Sequence, residues 1–428
     1  MQPKKTNPLI WVPSLYFAMG LPFIIVNMVS TLMFRGMGID DARIALWTSL
    51  IILPWSLKPI WSPLMEMYRT KKFWVVATQL ASGLGLALVA MTLSLPNFFP
   101  YAIALMAVVA FSGATHDIAA DGVYISVLSK NQQAQFIGWQ GAFYNIAKVF
   151  AMGGLVYLAG TLKEHVGVVE AWMIVMGMCG GMLFLLGLYH IKKLPSGGTA
   201  AIEAGSANEA LRETARIFGE FFRKKYIWIY VAFILFYRFA EGLVIKIVPL
   251  FLNAPTSAQG MGLSEQQIGL YYGTFGVIAF VVGSILGGYF IAWLKLRRAL
   301  FPLICIFNVP FVVYALLAAF QPSSVVLICG AIVFEYFSYG FGFVGLTLFI
   351  MQQVAPGKHQ MAHYAFGSAL ANLGVMLPGM ISGLWCEMVG YRSFFMWALL
   401  ATLPIFLIAW GIPFTHPDTS EPAEKSAE

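Results

Sequence analysis

The sequence contains one repeated stretch, Met37-Gly38-Ile39-Asp40-Asp41-Ala42-Arg43-Ile44-Ala45-Leu46-Trp47, which recurs in altered form as Met261-Gly262-Leu263-Ser264-Glu265-Gln266-Gln267-Ile268-Gly269-Leu270-Tyr271. Each copy follows a predicted outer loop and starts the second apolar segment of its half of the chain. Acidic residues in the first helical turn of both copies suit the positive end of a helix dipole. The repeat therefore predicts two related halves.

The composition predicts that both halves lie in a membrane. Of the 428 residues, 59% are hydrophobic and 11% are charged, whereas ordinary globular proteins have about 25% charged residues. A membrane-spanning helix needs about 20 apolar residues. Twelve stretches meet this length, with approximate limits 9–33, 42–65, 73–95, 98–129, 136–160, 168–191, 226–252, 265–290, 299–320, 322–352, 362–386 and 390–413. The sequence thus predicts an all-α membrane protein with twelve transmembrane helices in two six-helix pseudo-repeats.

The basic residues predict the orientation. Of the 26 Lys and Arg residues, 18 fall in the loops and termini on one side of the predicted spans and 4 on the other. Cytoplasmic loops carry the excess of basic residues, so both termini are expected in the cytoplasm. The basic residues lie in short loops and not along one face, which argues against nucleic acid as a partner. All four cysteines fall within spans, and the sequence indicates no metal site and no cofactor.

One long polar stretch divides the chain. It begins at Pro195-Ser196-Gly197-Gly198 and continues as a segment rich in Ala, Glu and Arg. The expected organisation is an N-terminal six-helix bundle at 1–193, a cytoplasmic linker at 194–225, a C-terminal six-helix bundle at 226–414 and a disordered cytoplasmic tail at 415–428. This organisation resembles that of the major facilitator transporters, in which the substrate is expected to bind near the midplane between repeats. We expect a monomer.

Charged side chains inside the predicted spans are the strongest functional signal, because a charge at membrane depth is costly and usually borders a polar pathway. Four are basic and four are acidic: Lys58, Lys148, Arg238, Lys246, Asp117, Asp121, Glu241 and Glu335. Asp117 and Asp121 are spaced i, i+4 and share a helix face. Two close carboxylates in a low dielectric are expected to hold one proton between them, which suits proton coupling. Permanent ion pairing of both acids with Lys58, Lys148 or Arg238 is the alternative interpretation.

Other polar side chains on the same helices are candidates for substrate binding. Gln140, Tyr144 and Lys148 share a face with Asn145 beside them, and such groups suit a polyhydroxylated or amide-bearing solute. Arg238 and Glu241 are spaced i, i+3, so they either line a cavity or neutralise each other. The full set of predicted substrate-binding residues is Lys58, Tyr124, Gln140, Tyr144, Asn145, Lys148, Arg238, Glu241, Lys246 and Glu335.

An enzymatic interpretation rests on His116 and Asp121, which have the His-x4-Asp spacing of some membrane acyltransferases. The motif is short, lies within a predicted span, and is not accompanied by a second nucleophile or an anion-binding loop. We therefore do not expect an enzyme.

Four stretches resemble the AmpG-type muropeptide permeases and the related acetyl-CoA transporters of the major facilitator superfamily. They are Tyr16-Phe17-Ala18-Met19-Gly20-Leu21-Pro22, Leu57-Lys58-Pro59-Ile60-Trp61-Ser62-Pro63-Leu64-Met65-Glu66-Met67-Tyr68, Ala77-Thr78-Gln79 and Ala114-Thr115-His116-Asp117-Ile118-Ala119-Ala120-Asp121. The resemblance is clear over about the first 130 residues and is one of architecture beyond them.

The resemblance implies a proton-coupled secondary transporter in the bacterial inner membrane that imports an amino sugar or muropeptide of the anhydro-muramyl type. Lys58, Asp117 and Asp121 match polar positions of the pattern. On this view the two acids handle the proton, and Lys58, Lys148 or Arg238 meets a substrate carboxylate. The chain departs from the pattern after Asp121, where it has Tyr124 and Ser126. Another organic solute, such as a glycan oligosaccharide or a siderophore, is the alternative cargo.

Overall fold

The computed structural model describes residues 7–39, 41–198 and 207–417, and every regular element in these ranges is helical. We number the helices in chain order: α1 Pro8–Gly36, α2 Asp41–Ile51, α3 Leu53–Leu57, α4 Ser62–Met67, α5 Lys71–Thr92, α6 Phe98–Val127, α7 Lys130–Val166, α8 Val168–Lys193, α9 Ala207–Phe222, α10 Ile227–Tyr237, α11 Phe239–Asn253, α12 Glu265–Ile268, α13 Gly269–Leu294, α14 Leu296–Phe320, α15 Val325–Val354 and α16 Gln360–Trp410.

Nine helices of the described ranges are long and apolar enough to cross a membrane: α1, α5, α6, α7, α8, α13, α14, α15 and α16. In such a helix every backbone N–H and C=O is paired within the segment, which makes it stable in lipid. Two of the other predicted stretches are helical but broken, one as α2–α4 and one as α10–α11. The eleventh and twelfth predicted stretches, 362–386 and 390–413, form the single long helix α16, which turns at Gly390, where φ is +75°.

Prolines account for the breaks in the second predicted stretch. Proline has no backbone N–H, and the position it fits best in a helix is the first turn. Pro54, Pro59 and Pro63 each lie in the first two positions of a short segment: α3, a 3-10 turn at Lys58–Ile60, and α4. Lys58 therefore lies in a tight turn between two short helices and not in a continuous helix.

The chain forms two compact units. One comprises residues 1–127, 143–217 and 358–365, and the other comprises residues 128–142, 218–357 and 366–428. Each has its own apolar core. In the first unit α5 and α8 meet at Gly83 and Gly180, where a Cβ on either glycine would lie within 2.8 Å of the other's carbonyl oxygen. In the second unit α13 and α15 meet at Gly283 and Gly340, where a Cβ would lie within 2.2 Å of a facing carbonyl oxygen. Small residues allow such close helix packing in membranes.

Glu66, at the end of α4, fixes the start of α16. Its carboxylate accepts hydrogen bonds from the backbone N–H groups of Met361, at 2.7 Å, and Ala362, at 3.2 Å. The first N–H groups of a helix have no partner within the helix, and a carboxylate also suits the positive end of its dipole.

Replacing Glu66 with alanine is expected to loosen the start of α16. Hydrogen bonds to charged groups contribute about 1.5–3 kcal/mol each, so hydrogen exchange at Met361 and Ala362 should become about tenfold faster or more. Exchange mass spectrometry of the purified protein measures this rate. Glu66→Gln, which keeps an acceptor oxygen but no charge, should give an intermediate rate. Unchanged exchange in Glu66→Ala would contradict the assignment.

Lys224 connects α9 to the end of α15 in the second unit. Its ammonium group donates hydrogen bonds to the carbonyl oxygens of Val354, at 2.5 Å, and Pro356, at 2.9 Å. Burial lowers the pKa of Lys224 to about 8 from 10.5, and the nearby Glu220 acts in the opposite direction.

This lowered pKa predicts how stability depends on pH. Between about pH 8 and 10.5 the folded protein has lost the Lys224 proton while the unfolded chain still holds it. The unfolded state then binds more protons, so the free energy of unfolding rises with pH across this window. Thermal unfolding in detergent should show a smaller rise for Lys224→Met than for the wild type. Lys225→Met, at the neighbouring exposed lysine, serves as the control, and equal slopes for all three proteins would rule out the shift.

Candidate functional site

The first unit holds a buried cluster of two acids and one base. Asp117 and Asp121 lie on α6, and Lys58 lies in the turn between α3 and α4. Their exposed fractions are 8%, 7% and 7%. Lys58 interacts electrostatically with both carboxylates, and the two carboxylates interact with each other. The sequence-predicted acid pair and one of its predicted cations are therefore together in one buried region.

The two carboxylates differ in their hydrogen bonds. The phenol of Tyr16, on α1, donates to Asp121 at 2.9 Å. The Oδ1 atom of Asp117 is buried and has no hydrogen-bond partner among the described residues. A buried carboxylate oxygen without a donor is costly when it is charged, so Asp117 is the carboxylate whose charge a proton would most favourably remove.

Tyr124 lies one turn beyond Asp121 but is fully buried among aromatic rings. Its ring packs edge-on against Tyr16, with 5.8 Å between centroids, and against Trp11, at 6.5 Å. Tyr124 therefore packs around Tyr16, and its contact with substrate stays a prediction. The sequence did not predict this packing, because helical spacing shows which face a residue occupies but not what covers that face.

A chain of buried polar groups lies beside the acids. The amide nitrogen of Gln79 bonds to Nε2 of His116 at 2.9 Å, and its oxygen bonds to Nδ1 of His190 at 2.9 Å. Nε2 of His190 bonds to the hydroxyl of Ser14 at 3.0 Å. An amide oxygen can only accept and an amide nitrogen can only donate, so Nδ1 of His190 carries hydrogen and Nε2 of His116 accepts.

These hydrogen bonds do not form the His-x4-Asp arrangement of a membrane acyltransferase. Nε2 of His116 is occupied by Gln79, and Nδ1 has no partner in the described ranges. Asp121 therefore does not orient the imidazole, as the catalytic interpretation requires.

The predicted binding residues on α7 divide between the units. Tyr144, Asn145 and Lys148 belong to the first unit and are partly exposed, and the phenol of Tyr144 interacts electrostatically with Asp117. Gln140, also partly exposed, belongs to the second unit.

The second unit holds a separate charged group where α10 ends and α11 begins. Arg238 donates two hydrogen bonds, each 2.7 Å long, to the carboxylate of Glu241. Tyr339 donates a further hydrogen bond to Glu241 at 3.0 Å, and the guanidinium lies 5.2 Å from the ring centre of Phe343. Arg238 and Glu241 therefore neutralise each other, as one of the two sequence interpretations expected, and Glu241 also lines a cleft.

Glu335 lies on α15 in the same unit and accepts a hydrogen bond from the phenol of Tyr314 at 2.8 Å. The side chain of Lys246, another predicted binding residue, lies outside the described part of the structure.

Sequence reasoning missed Tyr16, Gln79, His190 and the tyrosines around Glu335. Each is an ordinary polar residue in an apolar helix, and its role depends on a partner in another helix. Gln79 belonged to a quoted motif but was given no role. The sequence signal for this group is a polar residue inside a predicted span, whether or not it is charged, because buried polar groups need hydrogen-bond partners.

The sequence is similar to a transporter family and to several of its members. The sequence pattern of the Major Facilitator Superfamily matches residues 14–362. The "Anhydromuropeptide permease" of Escherichia coli (strain K12) is 25% identical over 411 residues, covering 94% of this chain and 78% of the permease. The "Putative transporter AmpG 4" of Rickettsia conorii is 21% identical over 407 residues, covering 91% of this chain and 92% of the relative.

Solved structures share the fold. The E. coli fucose:proton symporter superimposes with a TM-score of 0.70 and 13% identity, covering 94% of this chain and 98% of that one. A bacterial homologue of the iron transporter ferroportin, in an outward-facing state, gives a TM-score of 0.66 and 14% identity over 94% and 97% of the two chains. At these identities the likeness concerns the fold alone.

Proposed function

We propose that this chain, which belongs to the Major Facilitator Superfamily, imports its small-molecule substrate together with protons. Membership of this family makes it a multi-pass secondary transporter and not an enzyme. The proposed substrate is a cell-wall-derived amino sugar or muropeptide of the anhydro-muramyl type, and the proposed location is the bacterial inner membrane. The distant similarity to the E. coli permease, 25% identity over 94% of this chain, supports this substrate class.

We propose twelve membrane spans with both termini in the cytoplasm and a monomeric carrier. The broken segments α2–α4 and α10–α11 would each form one span, and α16 would form two spans that meet at Gly390. In this arrangement the bundles are residues 1–193 and 226–414, joined by a cytoplasmic linker at 194–225 and followed by a tail at 415–428.

The observation that best supports proton coupling is the buried cluster of Lys58, Asp117 and Asp121. One cation cannot neutralise two carboxylates, and a second uncompensated charge in a low-dielectric region is costly. Binding one proton removes that charge and gives Asp117 a hydrogen to donate. A proton that enters the cluster from one side of the membrane and leaves to the other would couple its movement to that of the substrate.

The polar residues on α7 would contact the substrate in the first unit. Arg238 is already held by two hydrogen bonds to Glu241, and Lys58 interacts with both aspartates. Lys148 is partly buried and lies one turn from Tyr144 and Asn145. We therefore assign the substrate carboxylate to Lys148 and the hydroxyl and amide groups to Tyr144 and Asn145.

Uptake into proteoliposomes tests this function. Purified protein is reconstituted, and a labelled anhydro-muramyl sugar is offered with an acidic exterior or with equal pH on both sides. Accumulation above equilibrium only with the gradient supports the proposal. Accumulation that is indifferent to the gradient contradicts proton coupling, and no uptake in either condition contradicts the substrate class.

A further inference from the structure

A small, open cleft with a cavity volume of about 40 Å³, enough for one ammonium-sized group, lies within the second unit. Its polar wall consists of four tyrosines and two acids from four helices: Glu241 on α11, Tyr272 on α13, Tyr314 on α14, and Glu335, Tyr336 and Tyr339 on α15. A concave site with aromatic walls and a few convergent polar groups is the usual form of a small-molecule site.

The two acids of the cleft differ in their charge balance. Glu241 is matched by Arg238 through two hydrogen bonds. Glu335 is 7% exposed, and its one hydrogen bond within the described residues comes from the neutral phenol of Tyr314. No described lysine or arginine forms an ion pair with Glu335. Among the described residues, which do not include the side chain of Lys246 on α11, Glu335 is therefore a carboxylate without a cationic partner.

Tyrosine rings line the cleft beside this carboxylate. Tyr272 and Tyr336 pack edge to face, with 4.8 Å between ring centres and 83° between planes. Tyr339 packs against Tyr336 at 6.4 Å and 89°. Rings in this arrangement present electron-rich faces in different directions, and such faces attract ammonium groups. An anionic group would instead meet two carboxylates, and a neutral hydroxyl would leave Glu335 uncompensated.

We propose that this cleft binds a protonated amine of the transported substrate, with the Glu335 carboxylate as its charge partner and the rings of Tyr272 and Tyr336 beside it. The inference rests on the proposed function and narrows it, because the preferred substrate then carries a free amine. Tyr314 is a positioning residue that holds Glu335 through its hydroxyl.

Two pairs of matched probes test the proposal. The first is a labelled anhydro-muramyl peptide with one free amine, compared with the same compound acetylated on that amine. Wild-type proteoliposomes should take up the free amine about tenfold more efficiently than the acetylated form. Glu335→Gln should remove this preference by lowering uptake of the amine form alone. Tyr336→Leu, which keeps the carboxylate, should reduce the preference about threefold.

The control variant is Glu387→Gln, which removes an exposed acid of the same unit, and it should keep the wild-type preference. An amine preference that is unchanged in Glu335→Gln, as expected if Lys246 is the partner of Glu335, would overturn the proposal. Equal uptake of both wild-type probes, or equal loss of both in Glu335→Gln, would also overturn it.

The second pair is glucosamine and N-acetylglucosamine, tested by thermal unfolding of the purified protein. Stabilisation by glucosamine alone, lost in Glu335→Gln, supports the amine site even if neither anhydro-muramyl probe is transported. That combination would reject the proposed function and keep the cleft assignment. Equal unfolding temperatures with both sugars, together with equal uptake of both labelled probes, would reject the cleft assignment alone.

Discussion

Asp117→Asn is expected to abolish accumulation of substrate against its gradient while leaving exchange of labelled for unlabelled substrate in place. Asparagine is nearly isosteric with a protonated aspartate but has no proton to release. A pH difference of one unit corresponds to about 1.36 kcal/mol per proton, which is about tenfold accumulation for a carrier that moves one proton with each substrate. The wild type should therefore reach about a tenfold internal excess, and the variant should reach equilibrium only.

Matched proteins make this result specific. Glu164→Gln removes an exposed carboxylate of the same unit and should accumulate substrate as the wild type does. Tyr16→Phe removes the hydroxyl that donates to Asp121 at 2.9 Å and should change the pH at which uptake is half-maximal, with less effect on exchange. Normal accumulation by both Asp117→Asn and Asp121→Asn would refute the role of the pair.

Arg238→Met is expected to destabilise the protein strongly, because it leaves the carboxylate of Glu241 buried without its cation. Side-chain exposure at this ion pair is 13% for the arginine and 4% for the glutamate. Removing one partner of a buried pair typically costs about 3–5 kcal/mol. Thermal unfolding in detergent should show a fall of several degrees in Tm.

The double variant Arg238→Met/Glu241→Gln should recover most of the lost stability, because no charge is left uncompensated and the amide can still accept from Tyr339. Arg392→Met, at an exposed arginine of the same unit, should leave Tm unchanged. If the double variant is as unstable as Arg238→Met, the arginine acts through packing and not through charge.

Several features of the fold and the site follow from sequence pattern alone. Apolar length predicts the helices, because lipid leaves no other partner for the backbone. The i, i+4 spacing places Asp117 and Asp121 on one face, and the i, i+3 spacing brings Arg238 within reach of Glu241. These relations are local, so helix geometry determines them.

Contacts between distant helices could not be predicted in this way. The bond from Tyr16 to Asp121 joins residues 105 positions apart, and that from Gln79 to His190 joins residues 111 apart. Periodicity gives the face of a helix but not its neighbour or its rotation against that neighbour. The break at Arg238, where φ is −108° and ψ is 7°, was also missed, because no proline or glycine marks it.

The cluster of Lys58, Asp117 and Asp121 also has an electrical consequence. With both acids ionised its net charge is minus one, and with one proton bound its net charge is zero. The voltage across a membrane acts on the first form with about 2.3 kcal/mol per elementary charge for each 100 mV, and it does not act on the second. In an energised cell with a negative interior, the field would therefore drive the empty, deprotonated carrier back toward the outside.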